Sequence, residues 1–234
     1  MANFYWAKDE KEAEKEQSIL VNLVKTESSD FNSADFRTGL AVGTAYEENT
    51  KTAFAVCAIF DKNGRITDKI TSAFVEVDFP YVPGLLAFRV GPAICTVIDK
   101  FVNEIDLLLF DGQGIAHPAG FGLASHIGVL FNKPSIGITK KSLFGNYSSP
   151  SKGICHTDLR HPRTNKTIGY CMSFGYNYEP FFMSPGHQIT LWESLNVLRM
   201  ITKKNDRLPY SIRFVHGQAN RLAKEHWRKL MPCL

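Results

Sequence analysis

The sequence predicts a single α/β domain in which helices flank a mixed β-sheet. The chain has 234 residues with 44% hydrophobic and 21% charged content, which is typical of one globular domain with a sizeable core. Three runs of β-forming residues joined by short turns predict an antiparallel meander at the start of the sheet. A later apolar run ends in an Asp-Gly loop and leads into a helix, the order in which α/β folds present reactive groups at a sheet edge.

The first third of the chain supplies a helix and the meander. Residues 8–25 predict a helix, because Glu, Lys and Ala recur with mixed-sign neighbours at helical spacing. Residues 28–37 are polar and loop-like. The predicted strands of the meander are 38–46, 52–61 and 66–77. We therefore divide the chain into an N-terminal helix and linker, 1–37, and a main domain, 38–234, that includes a basic C-terminal helix.

A proline-bracketed loop follows the meander. Pro80 and Pro83 hold Tyr81 and Val82 in a stiff extended or turn conformation. A rigid loop that projects an aromatic side chain suits a wedge between stacked bases. Considered alone, the loop fits an ordinary proline-rich connection equally well. A helix interrupted early by Pro92 is predicted next, over 86–102.

The central stretch, 104–130, organises the rest of the chain. Its apolar run ends in Asp111-Gly112-Gln113-Gly114, and His117 follows. A carboxylate at the end of a buried strand is costly to desolvate unless a metal, a base or a donor meets it. The alternative is a carboxylate that caps the following helix. The sequence alone leaves both interpretations open.

The second half of the chain alternates short elements. After a predicted strand at 132–138, Lys140 points to the same sheet edge as Asp111 and could stabilise phosphate charge, although a solvated lysine is the commoner explanation. Residues 155–166 are polar and turn-rich, and residues 179–188 lead towards a helix. The remaining predicted elements are a strand at 167–176, a helix at 190–202 and a basic helix at 212–230.

Composition narrows the setting. The net charge of +4 permits a nucleic-acid partner without requiring one. Five scattered cysteines without a CxxC pair argue for a reducing compartment and against a zinc site or a disulfide framework. No apolar run approaches the roughly 18–20 residues of a membrane span, and the N-terminus has charges where a signal peptide needs an apolar core. We expect an intracellular protein, cytoplasmic or nuclear, with no membrane partner.

Several long motifs together resemble the endonuclease V family. The resemblance runs from about residue 38 to residue 220 and is carried by FPYVPGLLAFR, LLLFDGQGIAHP, FGLASHIGVL, KPSIGITKKSLFG and SPGHQIT. It implies an RNase H-like fold and recognition of inosine or deoxyinosine in nucleic acid. It also implies cleavage of the second phosphodiester bond 3′ to the deaminated base, with magnesium or manganese. The expected partner is inosine-containing or otherwise deaminated nucleic acid, single- or double-stranded.

The resemblance assigns roles to individual residues of this chain. The wedge corresponds to Tyr81, Val82 and Pro83. The hypoxanthine pocket corresponds to Gly84, Leu86 and Gly112. Asp111 matches the central metal-binding aspartate, and His117 and Lys140 match active-site residues. Three further histidines fall on motif positions without an assigned role: His126, His187 and His216.

Most of the family's metal-site acids are replaced in this chain. The resemblance places them at Gly43, Val90 and Trp192, with Glu193 one position late. The basic pair expected after His117 and Pro118 is replaced by Ala119 and Gly120. Magnesium prefers hard oxygen ligands in near-octahedral geometry, so the one remaining carboxylate should hold it weakly.

The sequence therefore predicts a pseudo-nuclease. It would bind inosine-containing nucleic acid but have lost, or strongly reduced, metal-dependent cleavage, with magnesium or manganese needed only if activity is retained. One alternative is an active, divergent nuclease whose metal site is rebuilt from other acids, such as Glu47, Asp61, Asp78 or Glu193. Another is a non-catalytic subunit or scaffold with a protein partner and no nucleic-acid role.

Overall fold

The computed structural model describes residues 4–27, 29–151, 155–174, 179–204 and 206–230. Its eight strands are β1 (Thr38–Glu47), β2 (Thr52–Asp61), β3 (Ile66–Glu76), β4 (Leu107–Asp111), β5 (Ser135–Thr139), β6 (His156–Arg160), β7 (Thr167–Met172) and β8 (Phe181–His187). Its five α-helices are α1 (Glu10–Leu20), α2 (Leu86–Ile98), α3 (Leu123–Phe131), α4 (Leu191–Ile201) and α5 (Tyr210–Leu230). No described helix is long and apolar enough to cross a membrane.

All eight strands form one mixed sheet in the order β3-β2-β1-β4-β5-β8-β7-β6. β1, β4 and β5 are parallel, and the other pairs are antiparallel. The predicted α/β class and mixed sheet are therefore confirmed. β4 and β5 end side by side at Asp111 and Thr139, and we call this the site edge. The opposite edge, where β4 and β5 begin, we call the far edge.

The sheet is buried on both faces by helices. Within β4, Leu107 and Leu109 join an apolar cluster that includes residues of α4 and α5. Leu108 and Phe110 join a second cluster that includes residues of α2 and α3. Because alternate side chains of a strand point to opposite faces, Asp111 lies on the α5 side of the sheet.

Two strands form where none was expected. β6 occupies the polar segment predicted as turns, because it pairs with β7 through backbone hydrogen bonds that need no apolar pattern. β8 is buried throughout, although it contains Pro185. Pro185 lies where the β5–β8 register shifts, a position at which a strand tolerates proline. The end of the strand predicted at 167–176 lies outside the described residues.

The helix α1 packs on the domain instead of standing free. Asp9 caps it by accepting a hydrogen bond from the Glu12 N–H at 2.9 Å. Ala13 is fully buried in a small apolar cluster with Phe79, Leu85 and Phe88. The N-terminal helix thereby contacts the loop that carries Tyr81.

Candidate functional site

Asp111, His216 and Lys140 form a hydrogen-bonded chain at the site edge. The Oδ2 atom of Asp111 lies 2.5 Å from Nδ1 of His216, which projects from α5. Nε2 of His216 lies 3.4 Å from Nζ of Lys140, just after β5. A proton on Nδ1 satisfies all three groups, because Nδ1–H donates to the carboxylate and Nε2 accepts from the ammonium. The structure thus brings Asp111 and Lys140 together at one edge, as the sequence predicts.

Asp111 does not cap the helix that follows it. The N-cap of α3 is Gly122, and no side chain caps that end. The capping interpretation of Asp111 is therefore wrong, and the carboxylate serves a contact between the sheet and α5.

Gly43 lies under the backbone of α5. It belongs to β1, which pairs with β4 as far as Val42 and Phe110, and it points to the same face as Asp111. An ideal Cβ at Gly43 would lie 2.6 Å from the backbone nitrogen of His216, closer than real Cβ atoms approach. No side chain fits at this position unless α5 moves away from the sheet. The backbone of α5 therefore occupies the space that a carboxylate would need.

The other two positions that the resemblance assigns to acids supply no metal ligand either. Val90 lies in α2, is 2% exposed and packs in the apolar cluster with Val42 and Phe110. Trp192 lies in the first turn of α4, after β8 ends at His187 opposite Ser135, so it is at the far edge of the sheet. The prediction that Trp192 and Glu193 stand beside the metal site is therefore wrong. The helix α4 therefore begins at the opposite edge of the sheet from Asp111.

The acids considered as replacements are bound elsewhere. Their partners are the turn residues 49–50 for Glu47, the backbone of the 63–65 turn for Asp61, Lys51 for Asp78 and the Ser33 N–H for Glu193. Within the described ranges, no group of three or more His, Cys, Asp or Glu residues could hold a metal ion. The residues present do not fit a magnesium or manganese site.

The proline-bracketed loop, which we call the wedge loop, exposes Tyr81 to solvent, while the residue that follows Tyr81 is anchored. Tyr81 is 67% exposed. The next residue, Val82, packs on the apolar cluster around Phe88, and its carbonyl accepts from the Leu85 N–H at 3.0 Å. An exposed aromatic ring on a turned, anchored loop has the form that insertion between bases requires.

Arg89 lies beside Tyr81 of this loop, and no role is assigned to it from the sequence. Its guanidinium carbon lies 3.6 Å from the ring centroid of Tyr46 and 5.7 Å from that of Tyr81. The side chain is buried and pairs with Glu48. Tyr46 in turn donates its hydroxyl to the Val77 carbonyl at 2.7 Å. The signal was present as the arginine of the FPYVPGLLAFR motif.

Gly84 and His117 meet beside the wedge. Gly84 has φ +93°, and a Cβ there would lie 3.4 Å from the His117 ring. Burial lowers the pKa of His117 to about 4, although a hydrogen bond with the Gly84 backbone opposes the shift. The neutral ring accepts from the Ala119 N–H at 3.2 Å through Nδ1. His117 therefore packs beside Gly84 and carries no charge near neutral pH.

Gln17 of α1 also contacts Gly84. Its amide Nε2 contacts the carbonyls of Gly84 and Phe121 at 3.0 and 3.1 Å. On the central loop, Gly112 is buried and donates its N–H to the Ile138 carbonyl at 2.9 Å. No sequence signal singled out Gln17, because these contacts join positions far apart in the chain.

The motif histidines His126 and His187 lie away from the Asp111 chain. Burial lowers the pKa of His126 to about 3, and neither ring nitrogen has a hydrogen-bond partner among the described residues. Its ring stacks on Trp6 and contacts Phe88 and Phe121. His187 ends β8 at the far edge. Of these motif histidines, His216 alone contacts Asp111.

Comparison with known proteins identifies relatives over most of the chain. The family model Endonuclease V matches residues 19–217. Endonuclease V of Thermosipho melanesiensis is 40% identical over 172 residues, which cover 73% of this chain and 74% of the relative. The crystal structure of the Bacillus subtilis endonuclease V superposes with a TM-score of 0.84 at 25% identity, covering 95% of each chain. A Ciona intestinalis endonuclease V, solved with a 24mer DNA containing an inosine followed by a ribo-adenosine, has a TM-score of 0.80 at 20% identity and covers 92% of this chain and 98% of that one.

Proposed function

Because this chain belongs to the endonuclease V family, whose RNase H-like fold it shares, we propose that it binds inosine-containing or otherwise deaminated nucleic acid without metal-dependent cleavage. The binding half of this proposal depends on Tyr81, Gly84 and Gly112, and the cleavage half on Asp111 and its surroundings. These two parts of the site differ in how completely they are retained.

The contact of α5 with Gly43 carries the proposal. Loss of one acid could be repaired by a neighbouring carboxylate, but here the backbone of α5 takes up the space itself. The single remaining acid, Asp111, is engaged by His216. Activation of water by a divalent ion needs a site that holds the ion, and these residues do not supply one.

The binding part follows from the wedge and the pocket. The Ciona relative was crystallised with DNA that contains inosine. In this chain, an exposed Tyr81 would fill the gap left by a flipped base, while Gly84, Leu86 and Gly112 would line the pocket that receives it. Lys140 would lie near the backbone phosphates. Single and double strands, of DNA or RNA, are all candidate ligands.

The proposed setting is the interior of the cell. Cys57, Cys95, Cys155 and Cys171, the described cysteines, are all free of disulfide bonds, which suits a reducing compartment. The alternatives have less support. A rebuilt metal site would require Glu47, Asp61, Asp78 or Glu193 to leave the partners that hold it. A scaffold without a nucleic-acid role would not explain why Tyr81 is exposed on an anchored loop.

A paired binding and cleavage assay tests the proposal. Purified protein is mixed with labelled strands that are identical except for inosine or adenosine at one position, with and without millimolar manganese. We expect preferential binding of the inosine strand, weakening as salt rises, and intact strands in every lane. Tyr81→Ala should reduce binding by about tenfold, the loss expected for one stacked aromatic. Tyr210→Ala, another exposed tyrosine, should not.

Two results would count against the proposal. Manganese-dependent cutting of the inosine strand that Asp111→Ala abolishes would show that the site is active. Equal binding of both strands, unaffected by Tyr81→Ala, would show that the wedge and pocket do not recognise inosine.

A further inference from the structure

Gln17 joins the two loops that border the proposed base pocket. It lies on α1 and is 8% exposed. Its Nε2 atom lies 3.0 Å from the Gly84 carbonyl oxygen and 3.1 Å from that of Phe121. A primary amide nitrogen carries two hydrogens, so one side chain donates to both carbonyls at once.

Both carbonyls belong to segments that shape the pocket. Gly84 ends the wedge loop. Phe121 precedes Gly122, whose N–H donates to the Gly114 carbonyl at 3.0 Å and so ties this segment to the Asp111–Gly114 loop. The Gln17 amide therefore fixes how far the wedge loop stands from the central loop.

The helix that carries Gln17 is itself firmly placed. Ala13 lies one turn earlier and is fully buried. Gln17 also precedes the residues that match the family model, 19–217. The helix α1 thus supplies the two hydrogen bonds of Gln17. Neither the motifs nor the residues of the family match include Gln17.

We propose that Gln17 is a positioning residue that sets the width of the base pocket and thereby its preference for inosine. The inference rests on the proposed function. Without the amide, the buried Phe121 carbonyl and the partly buried Gly84 carbonyl lose a donor, and the two loops are no longer held together. Discrimination between bases then falls, while contacts with the phosphates remain.

The test measures discrimination separately from affinity. Dissociation constants are determined for strands with inosine or adenosine at one position, at several salt concentrations, for the wild type, Gln17→Met and Gln17→Asn. Methionine keeps the length of the side chain but donates nothing, and asparagine keeps the amide on a side chain that is shorter by one methylene. The control is Ser18→Ala, because Ser18 is exposed and its hydroxyl donates to the Lys15 carbonyl within α1.

We expect the inosine-to-adenosine ratio to fall by about tenfold in Gln17→Met, the size expected when buried acceptors lose a donor. A smaller fall is expected in Gln17→Asn and no change in Ser18→Ala. The salt dependence should stay the same in all variants. If thermal unfolding shows that Gln17→Met does not fold, the inosine-to-adenosine ratio of Gln17→Asn tests the role of Gln17 instead.

The outcomes separate this inference from the proposed function. A wild-type preference that folded Gln17→Met retains, or equal weakening of both strands, would overturn the role of Gln17 and leave the proposed function intact. A wild-type protein that does not distinguish the strands would overturn both.

Discussion

At the scale of single residues, Gly43 has the largest consequence. Glycine supplies no metal ligand at this position, and it also lacks the Cβ that would keep α5 away from the sheet. The α5 backbone now lies 2.6 Å from that missing atom, and His216 on the same helix reaches Asp111. The glycine at this position and the close approach of α5 are therefore linked in the structure.

Restoring a side chain at Gly43 should harm folding. We expect Gly43→Ala to lower the free energy of unfolding by about 1–3 kcal/mol, because the added methyl overlaps the α5 backbone. Gly217→Ala is the matched control, since a Cβ there meets nothing within 4 Å. That variant should be unchanged or up to about 1 kcal/mol more stable. Urea unfolding measures both, and equal stability of Gly43→Ala and the wild type would refute the close approach.

His126 is the second residue whose role is structural. Its two ring nitrogens are buried without partners among aromatic rings. We expect His126→Leu to raise the free energy of unfolding by about 1 kcal/mol near neutral pH, because an unsatisfied polar group is replaced by an apolar one. A clear loss of stability in urea unfolding would instead reveal a hydrogen bond on which the fold depends.

At the scale of elements, α5 supplies the partner of the carboxylate that ends β4. The Asp111–His216 bond joins two segments 105 residues apart and continues to Lys140. In this arrangement the carboxylate contributes to folding, as a charge-assisted hydrogen bond between helix and sheet.

Asp111→Asn tests that structural role. We expect the free energy of unfolding to fall by about 1 kcal/mol, because a partly exposed charge-assisted bond becomes a neutral one. Millimolar manganese should leave the unfolding midpoint of both proteins unchanged, since a bound ion would stabilise the folded state. A manganese-dependent rise in the wild-type midpoint that Asp111→Asn lacks would contradict our account.

The same elements show how far sequence reasoning reaches. Strand β2 was predicted at its observed bounds, Thr52–Asp61, because its apolar run is framed by turn residues. β8 was missed, because Pro185 and Gly186 hide a strand whose place between β5 and β7 depends on tertiary pairing. Trp192 was misplaced for a related reason: ungapped motif spacing does not show which way a helix leaves the sheet.

The site shows a similar division. Asp111 and Lys140 were predicted at one edge, because adjacent parallel strands end together. The contacts of Gln17, Arg89 and α5 could not be predicted, because they arise from packing between segments distant in sequence.

At the scale of the whole molecule, two buried neutral histidines link stability to pH. Burial lowers the pKa of His117 to about 4 and that of His126 to about 3, from an ordinary value of 6.5. The unfolded chain therefore binds protons at a higher pH than the folded protein. The stability associated with these groups is complete above about pH 6.5 and is lost as the pH falls towards the folded-state values.

We expect the free energy of unfolding to decrease steadily between about pH 6.5 and pH 4, by up to about 1.4 kcal/mol per pH unit for each histidine. Urea unfolding across this range measures the slope. His126→Leu should make the slope shallower, because one of the two groups is removed. A wild-type stability that is flat over this range would mean that the histidines are hydrated or paired in solution.

The most direct test of the central claim is a single-turnover reaction with manganese. Excess protein is mixed with a labelled inosine-containing strand, and bound and cut fractions are read from the same sample. We predict that the wild type binds the strand fully and leaves it uncut, and that Tyr81→Ala binds it about tenfold more weakly. Manganese-dependent cutting near the inosine by the wild type, absent in Asp111→Ala, would contradict it.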